Sequence, residues 1–419
     1  MSDYKSLKVY SYMHPGRNIE NEFQKRYTEY GTIKFDLDIN AIYHGESTSD
    51  KYSLFLVPIP IYNSLLAHIR DNSIQITNLI QDIPGIARNK FFQYMLVKEI
   101  KGTNDIEGVY STTKEINKAI DSVANKKKSN PRLHSFVSMY IKIQKQKVEK
   151  IDQPKDLRTI YDFLLEGEIP KNKYPDGKYF RNSFVRIGNS VETVHLPKAD
   201  EQSIIDDLKK WIDFINNDDI DSILKACVAH YYLEYIHPFY DGNGRLGRYL
   251  FCSYIGNKLD PYTAVSFSYQ INLNRSKYYK AFKEVENKKN YGEITFFVIC
   301  LLQYLVSGQQ EVIVNLKKYK VLLDYIEHKL KKSNYSVEEK QLLFIYSQAY
   351  LFGSTDQSIE DNWLIQNRAE VTQKQTTIKS LKNILDDLES KGFLKTIMKR
   401  PLKRVLTTKF FKSIGLDSD

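Results

Sequence analysis

The sequence predicts a mainly α-helical protein in which one β-hairpin interrupts the helices and a compact helix-and-hairpin piece closes the chain. Three observations carry this expectation. Apolar residues recur at three-and-four spacing over long stretches, as in Ile204, Ile205, Leu208, Trp211, Ile212 and Ile215. Between 177 and 197 the pattern changes: Phe184, Val185 and Ile187 stand before Gly188-Asn189, and Val191 and Val194 after it. Near the end, Gly392 stops a helical run, and two β-like runs flank Lys399-Arg-Pro-Leu402.

The chain has 419 residues, enough for two or three domains, and its 42% hydrophobic content is ordinary for a globular protein. Cys227, Cys252 and Cys300 are odd in number and widely spaced. That pattern does not suggest a disulfide framework or a zinc site, and fits a reducing cytoplasm. The longest apolar run, Phe296 to Val306, is too short to span a bilayer, and the first residues hold no apolar signal segment. A cytoplasmic protein without a membrane partner is the expectation. The formal charge of +10 leaves nucleic acid or an acidic partner open, although lysine clusters such as Lys126-Lys127-Lys128 read first as solvated faces.

Taken in order, residues 1 to about 75 mix short β-like runs and turns, with prolines breaking the apolar segment Tyr52–Ile61 into an edge or strap. His14 and His44 lie among turn residues and read as solvated. Leu65, Leu66, Ile69, Ile74, Ile76 and Leu79 begin the helical region. Thr103 and Glu107 follow in a polar stretch ending at Gly108. Helical periodicity resumes from 114 to 170, before the hairpin; His195, just after it, reads as a surface or packing residue. The helix from Ile220 to Ile236 places Cys227 and His230 on one face. Further zinc ligands are missing, so core packing is the reading there. That helix delivers His237.

The stretch His237-Pro-Phe-Tyr-Asp-Gly-Asn-Gly-Arg-Leu-Gly-Arg248 carries the chemistry. Asp241-Gly242-Asn243-Gly244 is too glycine-rich to continue a helix and exposes backbone N–H groups at close approach. A helix is expected to restart at Arg245, its N-terminal dipole facing the loop. Arg245 and Arg248 leave one face of its first turn. Together these describe a polyphosphate cradle, with Asp241 placed to hold a hard cation and His237 at the rim with a pKa near about 6.5 before perturbation.

The stretch resembles the signature of the Fic family, His-x-Phe-x-(Asp/Glu)-Gly-Asn-Gly-Arg-x-x-Arg, through His237, Phe239, Asp241, Gly242, Asn243, Gly244, Arg245 and Arg248. Members mostly transfer AMP from ATP to a protein hydroxyl. The resemblance implies a Fic-type helical core over 113–310 with His237 as base and Asp241 holding Mg2+. It also implies Asn243 with the backbone of Gly242 and Gly244 on the α- and β-phosphates, Arg245 on the β-phosphate, Arg248 on the γ-phosphate, and Phe239 as an apolar anchor. Thr103-x-x-x-Glu107-Gly108 resembles the inhibitory motif (Ser/Thr)-x-x-x-Glu-(Gly/Asn) of autoinhibited members, in the group whose inhibitory helix precedes the core. It implies a bidentate pairing of Glu107 with Arg248 that displaces the terminal phosphate. The hairpin, with Ile187 and Gly188, stands where the family carries the flap that docks a target strand. Tyr278 and Tyr279 match the segment beside adenine, with a plain core role equally open. ATP and a target protein are the implied partners, and a homodimer is expected from the family. The alternatives are a DNA-binding regulator whose site senses ATP, and removal of AMP from modified proteins with Glu107 aligning a water.

The resemblance ends near residue 310. A linker helix over 311–334 leads to a region, 335–419, that resembles a winged helix-turn-helix domain, with a recognition helix at Thr376–Leu388 and a wing at 393–408. Lys374, Lys379, Lys382, Lys399, Arg400, Lys403 and Arg404 offer contacts to DNA phosphates, while protein docking or dimerisation through the same domain stays open.

Overall fold

The computed structural model describes residues 4–124, 131–147, 149–188, 193–353, 356–372 and 376–416. Its elements run α1 (Leu7–Met13), α2 (Ile19–Thr28), β1 (Ile33–Tyr43), β2 (Glu46–Leu56), α3 (Pro60–Gln81), α4 (Gly85–Ile106), α5 (Thr113–Ala124), α6 (His134–Gln144) and α7 (Pro154–Leu164). The short pair β3 (Ile187–Gly188) and β4 (Thr193–His195) precedes α8 (Glu201–Ile215), α9 (Ser222–Ile236) and α10 (Asn243–Lys258). Then come α11 (Pro261–Ala264), α12 (Phe267–Leu273), α13 (Arg275–Glu286), α14 (Thr295–Lys332) and α15 (Val337–Phe352). The chain closes with β5 (Ile359–Glu360), α16 (Asp361–Gln366), α17 (Arg368–Thr372), α18 (Ile378–Ser390), β6 (Leu394–Lys399), β7 (Leu402–Leu406) and α19 (Thr408–Ser413). The protein is mainly α, as expected.

Two compact units divide the chain, Met1–Ile74 with Lys98–Gln310, and Gln75–Val97 with Glu311–Asp419. Gln75–Val97 thus groups with the C-terminal residues. In the first unit, β1 and β2 form an antiparallel pair, and β2 ends in three buried residues, Leu54, Phe55 and Leu56, before Pro58 removes a donor and α3 begins. The apolar faces expected on α8 and α9 are buried, with Ile204, Leu208, Trp211, Ile223, Leu224 and Tyr231 in the core. Asp221 caps α9, its carboxylate accepting from the N–H groups of Ile223 and Leu224.

Two expectations about helix ends are corrected. Phe296–Val306 and the linker at 311–334 are not separate helices but parts of the 38-residue α14. Gly308 lies inside it and packs so closely on Ser266 that a Cβ would overlap that side chain. By length and composition α14 could cross a membrane, yet 67% of its most apolar stretch is buried within the protein, as in a core helix. The other correction is at α10, which starts at Asn243 rather than Arg245.

In the second unit, Ile326 and Leu330 of α14 join Leu342, Leu343, Tyr346, Leu381, Leu385, Leu388, Phe393, Leu394, Leu406 and Phe410 in one core. Three antiparallel strands lie in the order β5-β7-β6, with Leu394 opposite Leu406 and Lys399 opposite Leu402. Thr377 caps α18, and Gly392 follows with φ at +76° where the helix turns into β6. Lys374 lies outside the described residues. Arg404 cannot serve as a phosphate contact. It is buried, and its guanidinium pairs with Asp386 at 2.6 Å, Glu389 at 3.2 Å and Asp361 at 3.3 Å.

Candidate active site

His237 is the C-terminal cap of α9, in the left-handed region at φ 50° and ψ 61°, and Pro238 then prevents the helix from continuing. The loop after it is braced from inside. Asn243 accepts from the Phe239 N–H at 3.0 Å and donates to the Phe239 carbonyl at 2.7 Å, a side chain imitating a backbone rung. Phe239 is fully buried and stacks on Tyr161 with centroids 3.6 Å apart. Tyr161 also donates to the Asp241 carbonyl at 3.0 Å. Gly242 sits at φ +85°, and a Cβ there would collide with Leu165; only glycine fits. The Asn243 side chain is thus committed to the loop and is not turned outward to phosphates, which corrects the role implied for it.

Burial holds the His237 imidazole well below its ordinary pKa, down to about 3, with His195 and Arg181 adding to the effect. The ring is therefore neutral near pH 7, the form a general base needs.

The two arginines of α10 are in opposite states. Arg245 is buried, yet its Nε and Nη1 have no hydrogen-bond partner. Its nearest carboxylates stand back, Asp241 at 3.8 Å and Glu168 at 4.0 Å, and burial lowers its pKa. Arg248, equally buried, is fully engaged. Its Nε donates to Thr103 Oγ1 at 2.8 Å, and its Nη2 donates to Glu107 Oε1 at 2.7 Å and to the Thr103 carbonyl at 3.2 Å. The pairing is not the bidentate one expected. One carboxylate oxygen accepts from Nη2, which is shared with the Thr103 carbonyl, and the Thr103 hydroxyl accepts from Nε. Burial works against the Arg248 charge, but Glu107, with smaller contributions from Tyr278 and Glu234, raises its pKa overall.

Glu107 lies in the turn just past α4, not on the helix. The end of α4 is well anchored. Glu99, fully buried and raised to about 7 by that burial, accepts from the Ser268 N–H at 2.7 Å and from Cys252 Sγ at 3.3 Å. Gly102 lets the helix touch the backbone of Ser268 and Tyr269. Over the loop, the Glu107 carboxylate occupies the space that a Cβ on Gly244 would take.

Residues 150–255 match the Fic/DOC family model. Over those residues the chain is similar to a Fic domain. Among curated relatives, protein adenylyltransferase Fic of Drosophila melanogaster is 31% identical over 154 residues, covering 36% of this chain and 28% of the relative. Protein adenylyltransferase fic-1 of Caenorhabditis elegans is 44% identical over 50 residues, 11% of this chain and 10% of the relative. The chain thus spans well under two thirds of the length of the relatives it matches. A solved Fic family protein of Desulfovibrio desulfuricans aligns at 19% identity with a TM-score of 0.49, covering 83% of this chain and 96% of that one.

Other parts of the site depart from expectation. Tyr278 is buried and donates to or accepts from His230 Nε2 at 2.7 Å, so it is a core residue and not a base contact. Tyr279 is 42% exposed and donates to the Ile106 carbonyl at 3.2 Å, beside the Glu107 turn. The hairpin is present as β3 paired antiparallel with β4, Ile187 opposite His195 and Gly188 opposite Thr193. Its turn, including Asn189 and Val191, lies outside the described residues.

Four residues near the site were missed or misread from sequence. Arg181, fully buried, donates to the His237 carbonyl at 2.8 Å. His195 is buried and bonded at both ring nitrogens. Glu168 backs Arg245. Glu234, one turn before His237, is raised to about 8 by burial, and its Oε1 has no partner. An acid three residues before His237 on a largely apolar helix was the available signal for Glu234. Nothing local marks the other three.

Among the described residues, no group of three or more His, Cys, Asp or Glu side chains is gathered as a metal site. Asp241 stands alone, its side chain 41% exposed. One carboxylate completed by phosphate oxygens and water suits Mg2+ carried in by a nucleotide.

Proposed function

We propose that this site transfers AMP from ATP to a protein hydroxyl, and that Glu107 holds it switched off. The observation that carries the proposal is the contrast between the arginines: Arg245 buried with unpartnered donors on a glycine loop, Arg248 already taken by Thr103 and Glu107. A buried cation with open donors is costly unless an anion completes it, and a triphosphate supplies several. The name of the relatives, protein adenylyltransferase, supports the same chemistry.

A serine, threonine or tyrosine hydroxyl is a weak nucleophile at neutral pH. Neutral His237 takes its proton as the oxygen attacks the α-phosphorus. The bond from that phosphorus to the bridging oxygen breaks, and pyrophosphate leaves. Arg245 and the N-terminal N–H groups of α10 meet the negative charge on the phosphates. Mg2+ held by Asp241 would neutralise phosphate charge when bound. The acceptor strand docks along the hairpin of Ile187 and Gly188 through its backbone. Arg248, once Glu107 withdraws, grips the terminal phosphate and aligns the α-phosphate for attack.

The test is transfer of label from α-labelled ATP with magnesium to protein, comparing wild type, Glu107→Gly and Glu107→Gly/His237→Ala. Label on the single variant alone is expected. No label on any of the three, with ATP still bound, would overturn transfer and favour removal of AMP by the same site.

A further inference from the structure

We propose that Arg181 and His195 are positioning residues that fasten both ends of the hairpin segment to the last carbonyls of α9, and thereby set the acceptor hydroxyl against His237. The inference rests on the transferase reading above.

A helix leaves its final carbonyls without partners. At the end of α9 these carbonyls belong to the base and the two residues before it, and each is taken from the hairpin side. His195 Nε2 lies 2.5 Å from the Tyr235 carbonyl. Arg181 donates from Nη2 to the Ile236 carbonyl at 3.4 Å and from Nε to the His237 carbonyl at 2.8 Å. The Arg181 N–H adds a bond to the Pro238 carbonyl at 3.1 Å. Arg181 is 0% and His195 5% exposed, so neither is a surface accident. Arg181 stands before β3, and His195 is the last residue of β4. The strand pair is thus held at entry and exit by the same turn that presents His237. That turn also holds His237 at positive φ, a conformation a non-glycine residue keeps only when its surroundings enforce it.

His195 makes a further connection. Its Nδ1 lies 2.6 Å from Glu286 Oε2, and Glu286 is buried at the end of α13. Carbonyl and carboxylate are both acceptors, so the ring is held between two acceptor groups, one at each nitrogen. The His195 ring packs on the Tyr235 ring of α9, centroids 4.9 Å apart. The clamp joins three pieces: hairpin, base helix and tyrosine helix. A displacement of about 1 Å between acceptor and base costs on the order of a hundredfold in rate.

The test uses Glu107→Gly as parent, with the chain itself as acceptor. His195→Phe/Glu286→Met removes both contacts without stranding a buried carboxylate. Glu286→Gln keeps them, because its amide can donate to Nδ1 of a neutral ring whose Nε2–H still meets the Tyr235 carbonyl. The measurements are ATP affinity, single-turnover labelling at saturating ATP, melting temperature, and amide exchange at 193–196 and 236–239. The paired variant is expected to bind ATP within twofold of the parent, to label tenfold or more slower, and to exchange faster at both segments. Glu286→Gln is expected within threefold of the parent. Parent-like labelling by the paired variant overturns the inference, as does a Glu286→Gln deficit equal to the pair's at unchanged melting temperature. If the paired variant does not fold, Arg181→Lys, which keeps the charge but loses the fork, is judged by the same criteria. If the parent binds ATP but labels nothing, the transferase reading has failed. Exchange then decides alone, and unchanged protection at 193–196 overturns the clamp.

Discussion

If Glu107 restrains the site by pairing with Arg248, the restraint should be graded by how much of the pair survives. Arg248 is almost wholly buried, and the Glu107 side chain is 27% exposed, so the 2.7 Å contact is only partly screened. A hydrogen bond between charged groups in such a setting contributes about 1.5–3 kcal/mol. Glu107→Gly removes it and should raise the share of chains with a free Arg248 by roughly 10- to 150-fold. Glu107→Gln keeps the volume and an acceptor oxygen but loses the charge, about half the strength, and so should give roughly 3- to 13-fold. The assay is the initial rate of AMP incorporation at saturating ATP and magnesium, with ATP affinity measured in parallel. The expected order is wild type, then Glu107→Gln, then Glu107→Gly. A Gln variant as silent as wild type beside an active Gly variant would refute the pairing argument. The carboxylate would then act by filling space over the loop.

Thr103→Val deletes the buried hydroxyl bonded to Arg248 Nε, an interaction of roughly 1.5 kcal/mol. It should raise basal labelling severalfold without touching the loop, and an unchanged rate would remove Thr103 from the restraint. Glu234 is held near 8 in the folded chain against an ordinary 4.5, so the folded state binds the extra proton in that window and loses stability as pH rises from 4.5 to 8. The melting temperature of Glu234→Gln relative to wild type should therefore be more favourable at pH 8 than at pH 5, and an equal difference at both would sink the assignment. Arg404→Met leaves the buried carboxylate of Asp361 without its cation and should cost about 3–5 kcal/mol, seen as a markedly lower melting temperature. A change of a degree or less would show that the arginine is dispensable to the second core.

Much of the fold is legible because helix periodicity is local. The faces of α8 and α9 can be counted off from Ile204 to Tyr231, and the β6–β7 hairpin announces itself by Gly392 and Pro401. Where expectation failed, the deciding partner mostly lay far along the chain. Arg245 and Arg248 look alike on one helical face, yet only the second meets Thr103, 145 residues earlier. Asn243 and Tyr278 carry polar groups that sequence would aim at a ligand; the fold turns one to Phe239 and the other to His230. Histidine 195 read as ordinary because neither Glu286 nor the end of α9 is near it in sequence.

The absent side chain of Gly244 has a consequence for how such a protein can change over time. The space that a methyl group would fill there is where Glu107 now lies, and Arg248 Nη1 is 2.9 Å from the same point. A larger residue at 244 would evict the acid and crowd the arginine together, so this position offers no route to a freed, working site. If Glu107 restrains the site as proposed, variants that escape that restraint would arise on the 103–107 side, where substitutions leave the loop intact. On that reading, a lineage selected for permanent activity would keep its glycines and carry its changes at 103–107, at the end of α4 and the turn after it, some 140 residues upstream of Arg248.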